Sequence, residues 1–288
     1  MEYLKKDELY KNRGYAKCIS SGYHAMIDNY KSIFSYTWKS ALAYFLVLVA
    51  AFTTTDGFSI PMSTSGWIIW GVMVAAVTLS HYFLFAHIVN IFTEQGKLFV
   101  FKKLLVLFLW AVIITSLILV ALSLTVGFSY TSQYRNEIVI GAFALMALLV
   151  FIFGVPFGYL AVKYLVEDEK HFCKVVKHNY SKGFSHWGLI FVTFILSFFF
   201  VSVASFVVVL PFYILVVAKV SSAAGVMLGD ASGMPSYFPF IFALTSSIVS
   251  VIILYFNSSI FATLYYTYGS IEQRENERIG FMENSMKI

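Results

Sequence analysis

Six long apolar runs dominate this chain, and no other feature so restricts what it can become. They cover roughly residues 38–55, 67–92, 104–128, 138–166, 186–217 and 239–266. A helix needs about 20 apolar residues to cross about 30 Å of hydrocarbon, and most of these runs meet or exceed that length. In a bilayer the backbone must satisfy its own hydrogen bonds, so only helices and closed barrels span it. Unbroken apolar runs, without alternation, select helices. Charged residues make up 12% of the chain, about half the share of a soluble domain. The sequence thus predicts an all-α polytopic membrane protein with six transmembrane helices.

Charge placement orients those helices. Eighteen of the 20 lysines and arginines fall in four segments on one side: the N-terminal stretch, the connector at Lys97–Lys103, the connector from Lys163 to Lys182, and the C-terminal segment. Arg135 and Lys219 alone fall on the other side. Basic residues resist translocation, so the eighteen predict the cytoplasmic face and place both termini there. A seventh helix from Pro211 to Gly229 would put the C-terminal segment outside, against that rule. The predicted organisation is a cytoplasmic segment over 1–37, a six-helix membrane domain over 38–268 and a cytoplasmic tail over 269–288. The net charge of +5 brackets the apolar runs and forms no stripe, so the expected partner is anionic lipid headgroups and not nucleic acid.

The spans read as three hairpins, each preceded by a cytoplasmic leader. Tyr15, Ile19, Tyr23, Met26, Tyr30 and Phe34 recur at spacings of three and four, as do Phe172, Val176, Tyr180 and Phe184, with Trp187 closing that stripe. Such stripes predict amphipathic helices lying in the headgroup layer, with cytoplasmic extensions of the spans as the alternative. The two leaders also echo each other: Asn29-Tyr30 and Phe34-Ser35 match Asn179-Tyr180 and Phe184-Ser185 at identical offsets, and Trp38 is echoed by Trp187 with a displacement of one. Parallel repeats of this kind occur in transporters, and also follow from duplication alone. The charged and polar first thirty-odd residues do not read as a cleavable signal peptide. Cys18 and Cys173 both fall in segments predicted to be cytoplasmic, where no structural disulfide is expected.

With its three hairpins, polar leaders and the exit Phe261-Ala262-Thr263-Leu264-Tyr265-Tyr266 followed by Gln273-Arg274-Glu275, the chain resembles a known group. That group is the six-helix membrane domain fused to some bacterial glycerophosphodiester phosphodiesterases, together with related stand-alone bacterial integral membrane proteins. The resemblance implies a multi-pass protein of the bacterial inner membrane. It lends no activity, since no soluble stretch here is long enough to hold a phosphodiesterase domain.

Candidate chemistry is sparse. His81 and His87 lie within the second span, His81 near mid-membrane, and an ionisable residue at that depth marks a proton or ligand site unless it is a neutral imidazole bonded between helices. Six residues separate the two, so they point about 240° apart and do not share a metal. Asn257 is the strongest polar group on the last span, whose Thr245, Ser246 and Ser250 share its broad face, and it is expected to bond a neighbouring helix. Gly154 and Gly158 would permit close helix approach, while Pro156 and Pro211 would kink the fourth and fifth spans, or Pro211 would end the fifth. His171 and His178 are seven apart and share a helical face, with Cys173 and His186 loosely clustered beside them, but the further partners zinc would need are not identified, and Glu167-Asp168-Glu169-Lys170 reads as a solvated helix start. No catalytic, cofactor or metal motif emerges. The expectation is a non-enzymatic membrane scaffold, assembly or regulatory component, with a membrane-protein or second-copy partner. The alternative is a small-molecule or lipid transporter with kinked fourth and fifth helices and a cavity near His81, Gly154, Pro156 and Asn257.

Overall fold

The computed structural model describes residues 6–54, 63–93, 95–128, 134–169, 171–230 and 233–285. The turn-rich stretch from Asp56 to Pro61, Glu94, residues 129–133 and Lys170 lie outside them. The described residues form helices α1 (Lys6–Leu9), α2 (Tyr15–Ile27), α3 (Tyr30–Thr54), α4 (Thr64–Thr93), α5 (Lys97–Phe128), α6 (Arg135–Val166), α7 (Phe172–Ser185), α8 (Trp187–Met227) and α9 (Phe238–Ser285). Helices α3, α4, α5, α6, α8 and α9 are long and apolar enough to cross a membrane. The all-α polytopic fold read from the six runs is the fold of the protein.

Several boundaries differ from those the apolar runs mark. The first span begins at Tyr30, eight residues before Trp38, because the leader breaks at Asp28-Asn29. Helix α8 passes through Pro211 and continues to Met227, so the proline does not end it. A proline removes one backbone donor, a loss that a long membrane helix absorbs. Helix α9 runs 48 residues without a break. At 1.5 Å per residue it extends about 70 Å, far more than the bilayer core. The segment from residue 269 to Ser285 is therefore helix, continuous with the last span.

Two compact units make up the chain. The first comprises Tyr23–Ile91 and Leu196–Ala262. Its core is built from small and apolar residues at helical spacing: Thr37, Ala41, Tyr44, Leu48 and Ala51 of α3, Leu84 and Ile88 of α4, and Ala243, Ser247, Leu254 and Ser258 of α9. Small residues let helix backbones come close where lipid supplies no hydrophobic drive. The serines satisfy themselves locally: Ser246, Ser247 and Ser258 each donate to the carbonyl four residues earlier, at 2.6–2.9 Å.

The second unit comprises Glu2–Gly22, Phe92–Ile195 and Thr263–Ile288. Within it α5 packs on α6 and α6 on α7. Residues Tyr265 to Ile271 of α9 are all buried, so every face of that helix is covered there. By contrast α5 and α6 expose Leu109, Ile113, Leu117, Leu145 and Leu148 along their lengths, the surface of a helix that meets hydrocarbon.

The leader stripes are only partly the buried faces. On α2 the covered residues are Cys18, Ile19, Gly22, Ala25 and Met26, while Tyr15, Tyr30 and Phe34 are exposed. On α7, Phe172, Val175 and Gly183 are covered and Phe184 is not. Small residues, which a stripe of large apolar side chains overlooks, make the closest contacts.

Candidate functional site

Charge is concentrated where α9 enters the second unit. Helix α6 ends at Val166, leaving carbonyls without intrahelical partners. Gln95 donates to the Val166 carbonyl at 2.9 Å, and the Lys103 ammonium donates to the Glu167 carbonyl and, at 3.2 Å, to Gln95 Oε1. A cation at this end complements the helix dipole. Lys103 is 2% exposed and lies over the rings of Phe99 and Tyr164, at 4.5 and 5.2 Å.

One turn earlier, Lys163 points at two carboxylates, Glu167 Oε1 at 2.7 Å and Glu272 Oε1 at 2.9 Å. Lys182 of α7 holds the other Glu272 oxygen at 2.7 Å. The Tyr159 hydroxyl donates to Glu272 Oε1, and the Tyr268 hydroxyl donates to Glu167 Oε1 at 3.0 Å. Glu272 thus receives donors from α6 and α7 while it stands on α9. Three residues on, Glu275 accepts from Arg278 at 2.8 Å and faces His186 Nε2 at 3.7 Å. Buried charges cost several kcal/mol each unless paired and hydrogen-bonded, which explains why donors converge on each carboxylate. The result is an ionic clasp that ties α6 and α7 to α9.

A second set of bonds fixes the N-terminal arm to the same helix. Ser270 Oγ accepts from the Arg13 amide and donates to the Arg13 carbonyl, both at 2.9 Å. Arg274 donates to the Arg13 carbonyl at 2.7 Å and to Asn12 Oδ1 at 3.0 Å. The Arg13 guanidinium lies over Tyr266, 5.1 Å from its centroid. Gly22 has no room for a side chain: a Cβ there would lie 2.6 Å from the Thr263 amide nitrogen. A Cβ on Gly269 would collide with the Leu9 carbonyl oxygen. Cys18 is fully buried against this helix, and burial pushes its thiol pKa up.

Residues singled out from the sequence take varied places. His81 Nδ1 lies 3.4 Å from the Tyr44 hydroxyl, with the rings edge to face. His87 is buried and donates from Nδ1 to the Phe83 carbonyl of its own helix at 2.8 Å. Asn257 is exposed; the buried serine and threonine hydroxyls of α9 belong to Ser246, Ser247, Ser258, Ser259, Thr263, Thr267 and Ser270. The helix turn puts Asn257 one position off the Leu254–Ser258 face.

Pro156 is buried, and the one carbonyl it leaves without a helical donor, that of Ile152, is met from outside α6, with a further bond to the carbonyl beside it. Trp187 Nε1 donates to the Ile152 carbonyl at 3.0 Å, and the Tyr180 hydroxyl donates to the Phe153 carbonyl at 3.1 Å. Gly183 seats α7 against this turn, its Cβ position 3.3 Å from Pro156 Cβ. Gly158 leaves ordinary contact distances to Ile190 and Leu264, whereas Gly154 meets no other helix. Gly154 instead lines an apolar groove of about 630 Å³ with Trp110, Ile114, Phe157 and Phe172. Neither His81 nor Asn257 lines that groove. His178 Nδ1 donates to the Lys174 carbonyl, and His186 Nδ1 lies 3.1 Å from the Lys182 carbonyl. Among the described residues no three His, Cys, Asp or Glu side chains gather as a metal would require.

Sequence reasoning missed Glu272, which it left in the tail. The signal was available in Tyr268, Ile271 and Glu275, which carry helical spacing beyond the apolar run.

Six helices of this length and hydropathy define a multi-pass α-helical membrane protein. Comparison with protein-family models, curated proteins and solved structures finds no match. The resemblance to the phosphodiesterase-linked membrane domain therefore stands as an expectation from its own residues.

Proposed function

We propose that this protein is a non-enzymatic scaffold, assembly or regulatory component of a bacterial inner membrane, with both ends of the chain in the cytoplasm. The observation that carries the reading is the far end of α9. Ile279, Phe281 and Met282 are 51%, 78% and 53% exposed there. They lie about 60 Å along the helix from its start at Phe238, well past the length the hydrocarbon covers. Apolar side chains exposed together outside the bilayer are a surface for another protein, and a helix presenting them fits a groove or a second helix.

The ionic clasp supports a structural role in place of catalysis. Glu272 is already engaged by Lys163, Lys182 and Tyr159, and Glu167 by Lys163 and Tyr268. It anchors the base of the helix whose tip is presented. The cytoplasmic placement rests on the eighteen basic residues of one face.

The test is cross-linking in native membranes, followed by purification in mild detergent of the intact chain and of Phe281→Glu. The expected result is a stable partner or second copy held by the intact chain and lost from the variant, with unchanged melting temperatures. An intact chain that is monomeric and partnerless under these conditions, or equal capture by both forms, overturns the reading.

A further inference from the structure

Within the first unit an apolar groove follows α3. At one end it encloses about 490 Å³ between Tyr30, Phe34, Val201, Ala204 and Tyr255. A second hollow of about 370 Å³, walled by Trp38, Ala41 and Ile252, shares Phe34 with the first. The two hollows share Phe34 as a wall and follow one another along α3 from Tyr30 to Phe45, a furrow of about 22 Å at 1.5 Å per residue. One leaflet of hydrocarbon is roughly 15 Å deep, so the furrow is long enough for an acyl chain and part of what heads it.

The chemistry along the furrow is graded. Tyrosines stand at the first end, and beyond Trp38 the walls are wholly apolar. Two exposed lysines flank it: Lys31 Nζ lies 5.9 Å from the Tyr30 ring centroid and Lys39 Nζ 5.8 Å from that of Trp38. Both rings line the furrow. The nearby carboxylate, Asp28, sits 3.3 Å from His24. Tyrosine and tryptophan with lysine mark the level of lipid headgroups, and each lysine there favours anionic lipid.

We infer that this furrow is a binding site for one anionic phospholipid, its acyl chain along α3 and its headgroup at Lys31 and Lys39. The site is separate from the tip of α9 and does not depend on the docking role proposed for it.

The full-length chain in detergent, titrated with dioleoyl phosphatidylglycerol or dioleoyl phosphatidylcholine and read by native mass spectrometry, tests this. The intact chain is expected to retain one phosphatidylglycerol about twenty-fold more tightly than phosphatidylcholine, and the K31Q/K39Q double variant to bind the two nearly equally. Ala204→Trp, which fills the furrow, is expected to lose both. Equal binding by the intact chain, or an undiminished preference in the double variant, overturns the site. So does Ala204→Trp if it keeps its lipid, or if it changes oligomeric mass without lipid loss, which would give the furrow to a protein neighbour. A reading independent of that variant's folding comes from phosphatidylglycerol brominated on the acyl carbons nearest its headgroup. Saturable quenching of the intact chain's fluorescence is expected to fall in Trp38→Phe, and quenching that is unchanged overturns the placement of the acyl chain.

Discussion

At the scale of single residues, this protein depends on what is missing as much as on what is present. Gly22 and Gly269 carry no side chain where α9 and the N-terminal arm touch, and Gly183 carries none where α7 meets Pro156. Forcing a methyl group into a well-packed contact typically costs about 1–3 kcal/mol. Gly22→Ala is therefore expected to lower the melting temperature in detergent by several degrees, since the obstructing atoms are backbone. Gly188→Ala serves as the control, because its Cβ position meets nothing within 4 Å; equal melting of the two variants would remove Gly22 from the account. Trp187 shows the complementary device. Its indole supplies the donor that Pro156 lacks, so a helix-breaking residue sits in α6 without leaving the Ile152 carbonyl unpaired.

At the scale of elements, the clasp on α9 is the strongest local commitment. The Glu272 side chain is 13% exposed and that of Lys163 8%, so neither falls back on water when its partner is removed. Glu272→Ala is expected to destabilise the chain by about 3 kcal/mol, in line with broken buried pairs. Lys174→Ala breaks the solvent-exposed pair with Glu169 and is expected to leave the melt unchanged. Thermal unfolding of both variants followed by tryptophan fluorescence decides this, and equal shifts would show that burial is not what gives the clasp its strength. The six spans were legible because run length alone fixes them. Helix ends were not. Tyr30–Thr37 and residues past Tyr266 are mixed in polarity, and nothing in hydropathy says that α3 and α9 continue through them. Glu272 looked solvated for the same reason: its three donors come from residues 90 to 113 positions away. Pro211 could be read as a kink or a stop, and only the continuity of α8 decides that it is not a stop. The Asn29 and Asn179 echo survives as a shared bond, each amide donating to the carbonyl four residues back at 3.0 Å. The helix breaks at Asp28-Asn29, where the first copy starts, and at His186, just before the tryptophan of the second.

At the scale of the whole molecule, the two cysteines make the native chain its own topology probe. Cys18 is fully buried and Cys173 is exposed. The raised thiol pKa of Cys18 further suppresses its reactive thiolate. A membrane-impermeant maleimide is expected to label one site per chain, at Cys173, and only after the membrane is opened from the cytoplasmic side. Labelling of intact spheroplasts would invert the topology and with it the reading of the basic face.

The arm contacts also set an order of events. Leu9, Arg13, Cys18 and Gly22 find their partners at Gly269, Ser270, Tyr266 and Thr263, up to 260 residues later in the chain. Synthesis proceeds from the N-terminus at about 5–20 residues per second, so those first residues wait more than ten seconds for the helix that covers them. Through that interval Cys18 lacks the helix it is buried against, although every earlier span has left the ribosome. Insertion of the first five helices is thus a stage the protein passes through unfinished, and the last helix to be made is the one that closes it.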